Sequence, residues 1–406
     1  MPLPKLRNLD IYPVNLNGKH HVCLRDPEAI QEEVVVLSPP AFLIVSMLDG
    51  KAEISQLQAL WAKYFGGEIL TTDKIDEFLL SLDEKFLLET ETFKKRYGQI
   101  IADFESAKVR PAYLSGRSYP SDTAELDKFI ETFFTAKESP AKIDYGKNPA
   151  KALKGLIAPH IDYYRGHVGY AHAYKSLAES EPADVYLIFG VAHSSPPTPF
   201  ILSEKDFATP FGKAEVNSGF IADLKKNAPS FRTEFEIVHR TEHSIEFQAV
   251  LLKRFIKKEF TIVPILCSSF ELFTGEKSPS QVKKIEQFIQ ACIETIQRFD
   301  GKVCVISGSD LAHVGPRFGD KEEVGPKMIE WMESEDKKSL DHAVKTDAEE
   351  FYRSCTYDGN KRKVCGLSSV YTALRILEGS QGNLLHYGYA PDPAGGMVSF
   401  ASVEFV

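Results

Sequence analysis

The chain has 406 residues, of which 43% are hydrophobic and 26% are charged, as is usual for a globular protein with a full core. Its formal net charge of −9 at pH 7 argues against a nucleic-acid partner, because binding a phosphate backbone requires a basic face. The longest apolar stretch, residues 41–48, is too short to span a bilayer, so we expect no membrane association.

The cysteines and the N-terminus both predict a cytoplasmic location. The first 14 residues contain basic side chains but no apolar segment behind them, so they do not form a secretory signal. The six cysteines are scattered and include no CxxC pair, which is typical of free thiols in a reducing compartment.

Residues 1–95 are predicted to form a small domain of their own. An extended start over residues 12–24 precedes a helix at 41–48 and a second at 54–65, and Thr71 or Thr72 can cap a third. Residues 86–88 then have the pattern of a short strand or wing. Three short helices with β elements indicate a winged-helix architecture.

The charge of this N-terminal region argues against DNA binding. Residues 1–100 contain 11 Lys+Arg and 15 Asp+Glu, and the predicted third helix, where a recognition helix would be basic or neutral, is acidic. We expect the domain either to bind a protein or peptide, or only to pack on its neighbour.

The same region resembles the PqqD-like family of winged-helix domains. The resemblance rests on the segment from Leu37-Ser38-Pro39-Pro40 to Leu48-Asp49-Gly50, followed by two helices ending at Leu87-Leu88-Glu89, and covers about residues 20–90. It implies that the domain binds a peptide in a pathway with a radical-SAM protein.

A linker over residues 96–107 is predicted to lead into an α/β domain over 108–406. Buried strands are expected at 155–158, 185–189, 260–265, 302–306, 384–389 and 397–406, with helices between them at 168–178, 244–255, 282–299, 339–351 and 366–377. This alternation predicts a mostly parallel sheet with helices on both faces. The last two strands have a short connection and should be antiparallel.

Two histidines directly follow strands of this predicted sheet. His160 comes after Ala158-Pro159, and His193 comes after Gly190-Val191-Ala192. Ligands collect at the carboxyl ends of strands in open α/β sheets, so both imidazoles should lie at the same edge. Each alone is also compatible with an ordinary loop histidine, whereas the pair favours a functional site.

Two further polar pairs accompany the histidines. Glu242 and His243 begin a helix, where Glu242 can cap the helix and His243 can serve in acid/base chemistry, or both can be a surface capping network. Asp310 and His313 follow the strand at 302–306 and are predicted to meet across one turn, either for proton transfer or metal ligation, or as a helix cap beside an exposed histidine.

Cys365 precedes Gly366 at the mouth of a helix. The helix dipole favours a thiolate there, which suits a metal ligand or a nucleophile, although a buried inert cysteine is the commoner fate of this residue type. We expect that inert role for Cys267, Cys292 and Cys304, which lie within predicted strands or helices.

Together these segments resemble the MEMO family, whose fold is related to class III extradiol dioxygenases. The matching motifs are Ile157-Ala158-Pro159-His160, Phe189-Gly190-Val191-Ala192-His193, Glu242-His243-Ser244-Ile245-Glu246, Ser309-Asp310-Leu311-Ala312-His313 and Cys365-Gly366, in this order over about residues 108–406.

The resemblance implies one metal ion held by His160, His193 and Cys365. Two histidines and one thiolate suit a transition metal, and we expect Fe(II) first, with Cu or Zn as alternatives. Asp310, His313 and His243 would line the same pocket. It also implies a radical-SAM protein and an AMMECR-type protein as partners. The surroundings depart from the family pattern: Ser194 and Gln248 stand where the family often has histidines.

Three functions remain open from the sequence. The first is a non-haem metal-dependent oxidoreductase such as a dioxygenase, or a metal protein that works with a radical-SAM partner, with Glu242, His243, Asp310 and His313 as its acid/base groups. The second is a metal-free thiol hydrolase or transferase with Cys365 as nucleophile, His313 as base and Asp310 orienting it. The third is a non-enzymatic adaptor that binds a peptide or protein.

Overall fold

A computed structural model describes residues 2–145, 147–148, 151–228 and 235–406. The chain divides into two compact units, one up to Ser106 and the other from Ala107 onward. In the described part of the chain, no helix combines the length and apolarity that crossing a membrane requires.

The first unit is a small α+β body. Strands β1 (Asp10–Leu16), β2 (Lys19–Arg25) and β3 (Val35–Leu37) form an antiparallel sheet, with a β1–β2 turn at Asn17-Gly18, both at positive φ. Helices α1 (Pro39–Val45), α2 (Ile54–Tyr64) and α3 (Thr72–Glu84) follow where the sequence predicts them. The strand predicted at 86–88 is reduced to a single bridge between Leu6 and Leu88. The winged-helix assignment stays a prediction.

The segment predicted as a linker is helical for most of its length. Helix α4 spans Glu91–Ser106, so residues 96–106 of the expected 96–107 linker continue a helix. Phe93, Tyr97, Ile100 and Phe104 recur at helical spacing, and the last two are buried. This apolar stripe explains the difference, because it gives the charged segment one face to bury.

The second unit is an α/β domain. Its elements before the sheet's last strands are, in chain order, β4 (Val109–Arg110), α5 (Thr123–Glu131), β5 (Gly155–Ala158), α6 (Tyr163–Ala178), β6 (Val185–Val191), β7 (Phe200–Leu202), β8 (Asp206–Phe207), α7 (Ser218–Asn227), α8 (His243–Phe255), β9 (Thr261–Cys267), α9 (Glu271–Thr274), α10 (Lys283–Arg298) and β10 (Val303–Gly308). The remaining elements are β11 (Asp310–Val314), α11 (Pro326–Ala343), α12 (Ala348–Thr356), α13 (Leu367–Ile376), β12 (Gly382–Asp392) and β13 (Gly396–Phe405).

The central sheet has eight strands and a parallel centre. Its order is β11-β13-β5-β10-β6-β9-β7, with β12 on the other side of β13. The neighbours β5, β10, β6 and β9 are parallel, whereas β7, β11, β12 and β13 are attached antiparallel. The sheet is therefore mixed, and the prediction of an antiparallel final pair is confirmed.

Helices cover both faces of this sheet, as the alternation of elements predicts. Alternate side chains of β6 point to opposite cores: Val185, Leu187 and Phe189 pack with α7, α10 and α13, while Tyr186 and Ile188 pack with α6 and α8. Every residue of β6 is buried. A strand covered on both faces is a continuous apolar run, which is why the sequence shows these strands clearly.

Two predicted elements differ in the structure. The helix expected at 339–351 is split into α11 and α12, since Thr346 has a positive φ and Asp347 caps the second helix. Residues 310–314, expected as a turn after a strand, form the edge strand β11, which pairs with β13. Asp310 and His313 therefore lie along a strand with a bulge between them.

Substitution of Gly308, at the end of β10, can test how closely α8 packs against the sheet. A Cβ there would lie 2.6 Å from the backbone oxygen of Ser244 and 2.9 Å from Nε2 of Gln248. We expect Gly308→Ala to lower the free energy of unfolding by about 1–3 kcal/mol in urea titrations. Gly219→Ala is the control: its Cβ would meet only Asn217 at 3.6 Å, and alanine favours the helix. Equal stability of the two variants would contradict the close packing.

Candidate metal centre

The histidines predicted at strand ends converge at one edge of the sheet. His160 follows β5, Asp310 follows β10 and His193 follows β6, and these three strands are neighbours and parallel. His243 is the first residue of α8, which packs against β6 and β10. The topology therefore brings four side chains from distant parts of the sequence to one place.

Three imidazoles form a compact cluster at this edge. The ligand atoms that His160, His193 and His243 can offer all lie within 4.8 Å of one another. The ring of His160 stands nearly perpendicular to the other two, with centroids 5.1 Å from each, and the rings of His193 and His243 stack at 4.8 Å. This spacing suits three ligands of one metal ion.

The hydrogen bonds of His160 fix which ring nitrogen is available to a ligand. Nδ1 lies 2.9 Å from the carbonyl oxygen of Gly308, which can only accept, so Nδ1 carries the proton and Nε2 presents its lone pair. Burial lowers the pKa of His160 to about 4, although the Asp310 carboxylate opposes the shift. The ring is thus neutral at pH 7, as a metal ligand must be.

Glu242 does the same for the other two imidazoles. Its carboxylate lies 3.0 Å from Nδ1 of His193 and 3.0 Å from Nδ1 of His243, so Nε2 is the nitrogen that each ring can offer to a metal ion. The carboxylate also accepts from the backbone N–H groups of His193, His243 and Ser244, which confirms the predicted helix cap. Burial alone would raise the pKa of Glu242, but His193 and His243 hold it well below its usual range.

A buried ion pair contacts the backbone of Glu242. Arg110 and Glu246 are both fully buried and form a direct salt bridge. The guanidinium also donates to the carbonyl oxygens of His239 (2.7 Å) and Glu242 (2.8 Å), and Glu246 accepts from Tyr119 and from the backbone of Tyr113 and Leu114. Glu246 therefore faces away from the cluster, although it lies three residues after His243.

Cys365 lies beside the cluster. Gly366 caps α13, and Sγ of Cys365 is 3.4 Å from Nε2 of His160 and 3.8 Å from the carbonyl oxygen of Asp310. Burial, followed by the Asp310 carboxylate, raises the pKa of this thiol well above its usual value. The expected stabilisation of a thiolate by the helix is thus outweighed, and ionisation here needs a nearby cation.

Asp310 contacts His160 rather than the predicted partner His313. Its Oδ1 accepts from the backbone N–H of His160 at 2.9 Å, and its Oδ2 lies 3.7 Å from Nε2 of that ring. Nδ1 of His313 instead contacts the carbonyl oxygen of Leu311 at 3.2 Å, and its ring packs on Phe318. Residues three apart in a strand do not meet as they would across a helical turn, so the predicted pairing of Asp310 with His313 gives way to contacts of Asp310 with His160.

The structure brings together the predicted residues and changes some of their partners. His160, His193, Cys365, Glu242, His243 and Asp310 form one contact network, while His313 lies on β11 next to it. His243, predicted as an acid/base group, stands in the histidine cluster. From the sequence alone, no role is predicted for Arg110 or Glu246. The sequence feature that could have indicated both is a charged residue inside an otherwise apolar segment.

The six cysteines are free thiols, and five are buried. Burial raises the pKa of Cys304 to about 12 and shifts those of Cys267 and Cys292 upward as well. These three thiols are un-ionised at neutral pH and lie in the core, as the sequence predicts.

Known proteins resemble this chain over half to nearly all of its length. The sequence model of the Memo-like protein family matches residues 110–403. A MEMO1 family protein of Aquifex aeolicus is 28% identical over 99% of both chains. A MEMO1 family protein of Methanopyrus kandleri is 26% identical over 73% of this chain and 98% of its own length. A MEMO1 family protein of Ignicoccus hospitalis is 29% identical over 51% of this chain and 70% of its own length.

The Arg110–Glu246 pair can be tested by its effect on stability. We expect Glu246→Gln to cost about 3–5 kcal/mol of unfolding free energy in urea titrations, because the amide leaves a buried guanidinium without its counter-charge. Glu294→Gln is the matched control: its partner Arg298 is largely exposed, and loss of that pair should cost less than about 1 kcal/mol. A cost for Glu246→Gln as small as the control's would show that the pair is not essential to the site's frame.

Proposed function

The chain belongs to the Memo-like protein family, and we propose that its α/β unit binds one transition-metal ion through Nε2 of His160, His193 and His243, with Cys365 as a further ligand. The observation that carries the proposal is the common orientation of the three imidazoles. A protein carbonyl or carboxylate lies within 3.0 Å of Nδ1 of each ring, so Nε2 is the nitrogen through which each ring would bind an ion.

The donor set fits a first-row transition metal. Neutral imidazole suits Fe, Cu and Zn, and a thiolate adds a softer donor that Mg²⁺ and Ca²⁺ disfavour. Glu242 brings a negative charge behind two of the rings, which strengthens them as donors. We propose Fe(II) as the first choice, with Cu or Zn as alternatives.

Two of the three imidazoles are accessible from outside the protein. The side chain of His160 is buried, whereas those of His193 and His243 are 40% and 34% exposed, so substrate would approach past these two rings. A bound metal of this kind supplies Lewis acidity or one-electron chemistry at that opening. Burial lowers the pKa of the adjacent His313, which leaves its ring neutral and able to accept a proton from substrate. We propose a non-haem oxidoreductase activity on this basis.

The proposal extends to partners through the resemblances described above. A radical-SAM protein and an AMMECR-type protein would work with the α/β unit, and the N-terminal unit would bind a peptide or protein. The full-length similarity to the Aquifex protein, which includes the N-terminal unit, supports a shared role for the two units.

Metal analysis tests the ligand assignment. Protein purified without oxygen should contain close to one transition-metal ion per chain, and His160→Ala, His193→Ala and His243→Ala should each lower that content at least about tenfold. His20→Ala is the control, because His20 is exposed in the N-terminal unit and should leave the metal content unchanged. Metal-free wild-type protein, or equal metal content in all four variants, would overturn the proposal.

Thiol labelling separates metal binding from thiol catalysis. If Cys365 is a ligand, iodoacetamide should label it in the metal-free protein, and added metal should slow that labelling at least about tenfold. A nucleophile working without metal would be labelled at the same rate in both states. Such a mechanism would also use His160 as its base, since His160 rather than His313 contacts Cys365.

A further inference from the structure

Cys365 belongs to an irregular segment that a buried cation anchors. Residues 357–366 connect α12 to α13 without helix or strand, and Arg362 in their midst is 2% exposed. Its guanidinium donates to Oδ1 of Asp336 on α11 (2.5 Å), to Oγ of Ser339 (2.9 Å) and to the carbonyl oxygen of Ser354 (3.2 Å). The arginine fork thus ties this segment to two helices.

The same carboxylate also connects to the strand next to the metal centre. Oδ2 of Asp336 accepts from Ser399 and from Tyr387, and Ser399 Oγ in turn accepts from the backbone N–H of Ala312 at 2.9 Å. The carbonyl oxygen of Arg362 accepts from the backbone N–H of His313 at 2.6 Å. Asp336 therefore links the segment of Cys365 to β11.

The backbone between Arg362 and Cys365 needs such an anchor. Asn360 and Lys363 both have φ of 51°, a left-handed conformation that side chains with a Cβ rarely adopt. Strained residues persist where the surrounding contacts fix them. The buried ion pair provides that fixation at Arg362, one residue before the strained Lys363 and three before Cys365.

We propose that Asp336 and Arg362 are positioning residues that hold Sγ of Cys365 at the metal centre. The ion pair holds residues 357–366 in contact with β11, so that Sγ of Cys365 stays 3.4 Å from Nε2 of His160. Without it, the histidine cluster would keep its three imidazoles, which are held from β5, β6 and α8, but would lose the thiolate. The pair thus sets the softness of the ligand set and, through it, which metal is preferred. This inference rests on the proposed metal binding.

Two readouts on the full-length protein test the pair, and the first needs no metal. In metal-free protein, Asp336→Asn should speed iodoacetamide labelling of Cys365 at least about tenfold, because the segment opens more often. The labelling rate is measured by mass spectrometry of the peptide that contains Cys365. In the second, Co(II) is added: wild type should show a thiolate-to-cobalt charge-transfer band that Cys365→Ser abolishes. Asp336→Asn should still bind Co(II), with most of that band lost.

The controls separate positioning from general damage. Asp341→Asn changes an exposed aspartate on the same helix and should leave labelling and spectrum as in wild type. Arg362→Lys keeps the charge opposite Asp336 but loses the fork, and should give an intermediate band; it replaces Asp336→Asn if that variant does not fold by circular dichroism.

Wild-type labelling rate and band intensity in the folded Asp336→Asn or Arg362→Lys protein would overturn the proposal. A wild-type protein that binds Co(II) without a thiolate band would also overturn it, while leaving the histidine site intact. Absence of Co(II) binding by wild type is the outcome that removes the proposed function together with this inference.

Discussion

One buried carboxylate determines the chemistry of this site. The carboxylate of Glu242 is hydrogen-bonded to Nδ1 of His193 and lies 3.0 Å from Nδ1 of His243, and it also caps the helix on which His243 stands. Both imidazoles are thereby fixed in the tautomer that presents Nε2, and both acquire an anion behind them. Loss of such a partner typically weakens metal binding by about 10- to 100-fold, so under the proposed function Glu242 matters nearly as much as the ligands themselves.

The frame around Glu242 explains why so many charges are buried here. Arg110 holds the backbone of Glu242 and is neutralised by Glu246, and Asp336 and Arg362 form a second such pair in contact with the segment of Cys365. A buried pair is weak evidence for stability, because desolvation offsets most of the attraction, but breaking one is costly. These pairs are therefore best understood as fixing geometry: one anchors the histidines' carboxylate, and the other anchors the cysteine's segment.

The sequence predicts the α/β fold because strands buried on both faces have unmistakable apolar runs, as in β6. It also predicts that His160, His193 and Asp310 meet, because all three follow parallel strands. It does not predict which side chains contact one another within the site. The edge strand β11 has only five residues and follows β10 after the single residue Ser309, so residues 310–314 pass for a turn, and Asp310 is matched with His313 instead of His160. Contacts such as Arg110–Glu246, 136 residues apart, depend on the tertiary fold alone.

The central claim is that three Nε2 atoms bind one metal ion in front of the Glu242 carboxylate. A crystal structure of anaerobically prepared, metal-loaded protein, with anomalous diffraction data at the metal edge, tests it most directly. The account predicts one anomalous peak about 2.0–2.2 Å from Nε2 of His160, His193 and His243, with both Nδ1 bonds to Glu242 retained. A peak elsewhere, or one bonded to Nδ1 of these rings, would contradict it.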